Sequence, residues 1–168
     1  MNIKKMTLTA FFIALSYAGS MLKIFGTVAF DSLAGFLSAL ILGPVYGAAV
    51  GALGNVFTSL LSGMPYGMLS HIVIPVCMAL TMFGYGTVYS SLEKKHTGAA
   101  KNYIITGITG LILNGPVCLA VSAVFLIPAM GTAFVIALLP MLCIGAAANI
   151  ILSIIIHSMI HSRIEKLL

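Results

Sequence analysis

Residues 31–67 read DSLAGFLSALILGPVYGAAVGALGNVFTSLLSGMPYG. After Asp31 the stretch carries no charged side chain, and it is interrupted by glycines and by Gly43-Pro44. A single membrane crossing takes about 20 helical residues, so this apolar run is too long for one. Divided at Gly43-Pro44 it gives two short crossings, residues 32–42 going in and 45–61 coming back. The second holds Gly47, Gly51 and Gly54, with Ala48, Ala49 and Ala52 between them. Gly47-xxx-Gly51 is the spacing of small residues that lets helices approach closely in lipid. Asn55 lies deep in that helix, where an amide needs a partner. The expectation is a hairpin that packs tightly into a bundle and helps line a pocket open to the outside.

Composition sets the class. The 168-residue chain is 61% hydrophobic and only 7% charged, with a mean hydropathy of +1.17. Soluble domains carry roughly 25% charged residues, so a soluble fold is excluded and an integral membrane protein is implied. At about 20 residues per crossing the chain allows roughly six or seven helices with short loops. Residues 1–168 therefore read as one integral-membrane domain. The net charge of +5 does not point to nucleic acid. The basic residues sit at Lys4/Lys5, Lys94/Lys95/Lys101 and Arg163/Lys166, with Lys23 apart from them, which is the pattern of membrane-flanking topology signals. Cys77, Cys118 and Cys143 are embedded in apolar sequence without a CxxC and read as small core residues. The N-terminal apolar run lacks a clear cleavage site and reads as a retained first helix rather than a signal peptide.

Six helices follow: residues 6–22, 32–42, 45–61, 68–92, 103–126 and 133–161. Residues 23–29 form a loop or re-entrant turn, 62–67 (SGMPYG) a Gly/Pro turn, and 127–132 (IPAMGT) another. The segment 93–102 (EKKHTGAAKN) is the one clearly aqueous stretch. Pro75 kinks the fourth helix, and Pro140 falls early in the sixth. The fold class is an all-α membrane protein with six transmembrane helices in one compact bundle. An even count puts both termini on one side together with the Lys94 loop, and the positive-inside rule makes that side cytoplasmic. On helix 1, Ala10, Ala14 and Ala18 recur every fourth residue and so share a face. That smooth face suits packing within the bundle or docking to a separate membrane protein.

The buried polar inventory is short. The outer half offers Lys23, Asp31, Thr58, Tyr66, Ser70 and His71, and the midplane Asn55, Asn114 and Asn149. Polar residues at such depth usually face a protein interior or a wet cavity. A pocket lined by amides, a tyrosine, an imidazole and a carboxylate suits a neutral or zwitterionic organic molecule. For Asp31 the alternatives are a ligand carboxylate, a cap for helix 2, or an ion-pair partner of Lys23. Asn114, beside Gly115-Pro116, either satisfies carbonyls freed by a kink or touches a ligand. His71 either binds substrate or caps helix 4. His157 and His161 are spaced i, i+4 but lack a third metal ligand. No GxSxG, HExxH, paired-acid or P-loop motif is present, so the reading is not an enzyme, and any use of ATP falls to another subunit. A secondary carrier usually has more helices, internal repeats and buried ionisable residues.

These residues resemble a known family, the S components of energy-coupling factor (ECF) transporters. The resemblance covers nearly the whole chain. It rests on the basic N-terminus followed by Thr7-Leu8-Thr9-Ala10 with the Ala10/Ala14/Ala18 stripe, on LILGPVYGAAVGALGN at residues 40–55, and on the basic loop between helices 4 and 5. It implies a substrate-capture subunit that binds a vitamin at the extracellular side of a bacterial plasma membrane. Ala10, Ala14 and Ala18 would dock on a transmembrane T component, and two ABC ATPase subunits would drive a toppling that releases substrate inside. The protein itself needs no cofactor in this reading. Candidate substrate-binding residues are Asp31, Asn55, Tyr66, His71, Asn114 and Asn149. Nickel and cobalt S components begin Met-His, whereas residue 2 here is Asn2. The segment GNVFTSLLSGMPYGMLSH is most similar to carriers of cobalamin precursors such as α-ribazole, with Asn55 where those have His. Riboflavin, thiamin, pantothenate and pyridoxine-type substrates stay open. The alternative reading is a non-transporting membrane scaffold.

Overall fold

The computed structural model describes residues 3–24, 28–65 and 67–164. Helix α1 (Ile3–Met21) leads into strands β1 (Lys23–Ile24) and β2 (Val28–Ala29), an antiparallel pair with Lys23 opposite Ala29 and Ile24 opposite Val28. Then come α2 (Asp31–Ile41), α3 (Pro44–Leu61) and α4 (Met68–Lys94). Helix α5 (Ala99–Ile112), a π-helical turn (Leu113–Val117) and α6 (Cys118–Met130) run on as one rod. Helix α7 (Thr132–Ile164) follows. The described residues thus form six helical rods.

Pro44–Leu61, Met68–Lys94, Ala99–Met130 and Thr132–His161 are each long and apolar enough to cross a membrane. Helix α2 is not. Its 11 residues span about 17 Å, roughly half of a ~30 Å hydrocarbon core. Instead it is sheathed by α1, α3, α4 and α7. Only Leu33 and Ile41 of α2 escape full burial. One side of it, Phe36, Ala39 and Leu40, packs on Met78, Met82, Tyr85 and Tyr89 of α4 and on Ile150 of α7. The other, Ala34 and Leu37, packs with Phe12 and Val50. A helix apolar all round is one buried all round.

The turn into α3 depends on Gly43, whose φ of +101° only glycine adopts freely. Pro44 then starts α3, where a missing N–H costs nothing. Beyond this corner α2 and α3 lie against each other along small residues. A Cβ on Gly35 would come within 3.3 Å of Gly51 Cα, and one on Gly47 would come within 2.6 Å of Ala39 Cα. Gly35/Ala39 therefore face Gly51/Gly47, four residues apart on each helix, as expected of the glycine spacing. Gly86 of α4 closes on the same corner, where its Cβ would lie 2.9 Å from Pro44 Cα. Outward, the rods show Leu53, Leu60, Val76, Leu80, Ile104, Ile108, Ile136 and Ile151 exposed. Apolar surface on this scale marks a lipid-facing belt.

Several expected boundaries need correction. The turn expected at 127–132 narrows to Gly131 (φ +86°), because α6 continues through Pro128 to Met130. Proline's fixed φ is helical, and in a last turn it removes only one hydrogen bond. The aqueous segment at 93–102 narrows to residues 95–98, since α4 runs to Lys94 and α5 begins at Ala99. Asn102 is buried inside α5 and its side chain is hydrogen-bonded to Thr97. Pro75 and Pro140 lie within α4 and α7, which run through them.

Candidate functional site

A cavity of about 140 Å³ opens among α2, α3, α4, the α5–α6 rod and α7. It lies toward the end of the bundle where α2 begins and α3 turns into α4, away from Lys94. Each wall follows from helical periodicity. Helix α3 contributes Asn55, Thr58, Ser59 and Ser62, one polar face at i, i+3, i+4 and i+7. The α5–α6 rod contributes Asn114, Cys118, Ser122 and Leu126, every fourth residue. From α7 come Leu138, Leu142, Ala146 and Asn149, and from α4 His71, Ile74 and Met78. Asp31 and Ser32 close the α2 side.

The structure therefore brings Asp31, Asn55, His71, Asn114 and Asn149 to one cavity. Tyr66, the remaining expected member, lies outside the described residues. Asp31 is buried at 6% exposure, and its carboxylate joins helices. Its Oδ1 accepts from the Ser32 backbone N–H (2.8 Å) and Ser32 Oγ (3.3 Å), which holds the first turn of α2. Its Oδ2 accepts from Thr58 Oγ1 of α3 at 2.6 Å. The Asp31 carbonyl in turn accepts from Ser16 Oγ of α1 at 2.9 Å. Asp31 is not the cap of α2, since the capping position is Phe30 and carries no side-chain cap bond; Asp31 is the first helical residue and also lines the cavity. The side chain of Lys23 lies outside the described set.

His71 Nδ1 sits 2.8 Å from Ser59 Oγ, tying α4 to α3 at the rim. Asn114 falls within the π-helical turn, beside Pro116. Such turns widen a helix locally and recur at functional sites. Asn149 is buried at 3% exposure. Asn55 Oδ1 is buried and has no hydrogen-bond partner among the described residues, whereas Ser122 faces Cys118 on the same helix. Ser59, Ser62, Cys118 and Ser122 were missed as candidates. The signal that finds them is the register: they stand four, seven or eight residues from an asparagine already chosen on the same rod.

Ala10, Ala14 and Ala18 are all exposed on α1, whereas Phe12, Ser16 and Ser20 form its buried side. The alanine stripe is thus not used for packing within this chain. At the far end of the bundle Tyr103 Oη lies 2.9 Å from His157 Nδ1, and Tyr103 stacks on Tyr89 with centroids 5.7 Å apart. His161 Nε2 is 3.8 Å from Glu93 Oε1. Among the described residues no group of three or more His, Cys, Asp or Glu side chains is placed to hold a metal.

A membrane bundle with a half-polar cavity at one end and a smooth unpaired helix face is the architecture of a substrate-binding membrane subunit. A family model described as ECF transporter, substrate-specific component, matches residues 4–161, and the chain belongs to that family. Comparison with curated proteins and with solved structures gave no match. The chain is accordingly a multi-pass membrane protein, the substrate-specific component of an ECF transporter.

Proposed function

We propose that this protein captures a vitamin or vitamin precursor from outside a bacterial cell and hands it inward by toppling within an ECF complex. In this reading residues 1–168 are one membrane domain whose six rods, the short α2 completed by its flanking residues, traverse the membrane and leave both termini cytoplasmic. A transmembrane T component docks on the Ala10/Ala14/Ala18 face, and two ABC ATPase subunits supply the ATP hydrolysis. The chain itself carries no cofactor. Asp31, Asn55, Tyr66, His71, Asn114 and Asn149 contact or frame the substrate. A cobalamin precursor such as α-ribazole is the first candidate, followed by riboflavin, thiamin, pantothenate and pyridoxine-type compounds.

The observation that carries this reading is the convergence of five buried or half-buried polar side chains from five helical rods on one cavity. A non-transporting scaffold would instead gain from a sealed core in which such groups satisfy one another. The test is mass spectrometry of small molecules that co-purify with the detergent-solubilised protein, paired with thermal-shift measurements across a vitamin panel. A bound vitamin and a matching shift are expected. Repeated purification without a ligand, and no shift with any compound, would favour the scaffold.

A further inference from the structure

The cavity also carries a rule about charge. We propose that it seats one ring of an organic molecule that is uncharged or cationic, and rejects carboxylated and phosphorylated forms, with Asn55 reading a hydrogen-bond donor on the ligand. This rests on the capture reading above.

Three observations converge on it. The first is the charge inventory. Asp31 is the one acid on the wall, and no Lys or Arg is among the described lining residues. The hydrogen bonds at Asp31 all run toward it, from the Ser32 N–H, Ser32 Oγ and Thr58 Oγ1. Thr58 Oγ1 lies 2.6 Å from Asp31 Oδ2 and 3.1 Å from the Gly54 carbonyl, which fixes the position of the acid on the wall. His71, the imidazole of the wall, faces Ser59 through Nδ1. An anionic ligand would place its charge against an acidic group in a poorly solvated site, with no described basic side chain to offset it. A cation or a neutral hydrogen-bond donor meets no such penalty.

The second is an unpartnered atom, Asn55 Oδ1 on α3. A buried polar atom left unpaired is costly, and in native structures it usually has a partner supplied from elsewhere. Asn55 Oδ1 can only accept, so it calls for a donor on the ligand. The third is size. About 140 Å³ is close to the ~150 Å³ of a cavity that encloses benzene, so the cavity seats one ring while the rest of a larger ligand extends through its open side. Met78, Leu119, Leu138 and Leu142 give that ring an apolar seat.

The experiment is titration calorimetry and thermal shift on the full-length protein in detergent, with matched pairs of probes. These are nicotinamide and nicotinate, pyridoxine and pyridoxal phosphate, thiamine and thiamine phosphate, and dimethylbenzimidazole riboside and its phosphate. In every pair that binds, the member without the anionic group should bind at least about a hundredfold tighter. Asp31→Asn should shrink that ratio. Asn55→Leu should weaken the preferred member about tenfold, the worth of one hydrogen bond, and leave the ratio unchanged. A carboxylate or phosphate bound as tightly as its partner overturns the charge rule while leaving substrate capture intact, and so does an anion held through Lys23, seen as its loss in Lys23→Met. A folded Asp31→Asn protein with an unaltered ratio also overturns it. If that variant does not accumulate, the wild-type ratio and the Asn55→Leu loss decide. Failure of every pair sinks the capture reading and this rule together.

Discussion

Thr58 Oγ1 and Asp31 Oδ2 lie 2.6 Å apart, one on α3 and the other at the first residue of α2. Twenty-seven residues of chain separate them, yet this bond fixes the polar edge of the cavity. The same hydroxyl lies 3.1 Å from the Gly54 carbonyl one turn back, so the bond is anchored within α3 itself. Thr58→Val keeps the shape and removes the donor. One carboxylate oxygen is then left short of a partner in a buried place. The expected cost is about 1–3 kcal/mol, read as a lower unfolding temperature of the detergent-solubilised protein. A rise or no change would mean that water replaces Thr58.

The seam between α2 and α3 makes a second prediction through contrast. Gly47→Ala drives a methyl group onto the backbone of Ala39, where nothing flexible can give way. Such overpacking typically costs about 1–3 kcal/mol and here meets backbone rather than a side chain. Gly107→Ala, by comparison, places its methyl 3.6 Å from Ile150 Cγ2 and Ile154 Cδ1, an ordinary contact. It should be neutral, or stabilising by up to about 1 kcal/mol through helix propensity. Thermal stability and yield of the two variants side by side check the pair.

The exposed alanine face of α1 predicts a separation of functions. Ala14→Trp adds bulk on the side away from Phe12 and Ser16. Folding and ligand binding should persist, while co-purification with a T component is lost. Equal recovery of the complex with the wild-type and variant chains would move the docking face elsewhere.

Topology is checked by labelling. In a chain with Cys77, Cys118 and Cys143 replaced by alanine, Thr132→Cys at the start of α7 and His96→Cys in the turn after α4 put one exposed thiol at each end of the bundle. A membrane-impermeant maleimide applied to intact cells should modify the first and spare the second until the cells are opened. The reverse pattern would turn the cavity toward the cytoplasm.

Much of this was legible in the sequence for a simple reason. In a membrane protein a polar side chain within an apolar run is rare, so Asp31, Asn55, His71, Asn114 and Asn149 stood out singly. Only folding could bring them to one cavity, because they arise on separate rods. The Gly43-Pro44 corner and the Gly47/Gly51 spacing were equally plain, since a positive φ and close backbone approach leave few residue choices. What escaped were hydroxyls and thiols. Ser59 and Ser122 bond readily to their own helix in lipid, and so carry little signal until their register with Asn55 and Asn114 is drawn. The ends of α5 and α6 escaped as well. Gly98 and Gly131, at φ of +92° and +86°, mark where the chain truly turns, whereas Pro128 and Lys101 merely resemble stops.

Helix α2 has almost no face of its own toward lipid and is too short to reach across it. The bilayer therefore gives it no depth reference, and its height is inherited entirely from the four helices around it. Since Asp31 rides at its tip, the acidic edge of the cavity moves with that surrounding sleeve. Tilting the whole molecule leaves the edge in place, while sliding any one of its neighbours shifts it.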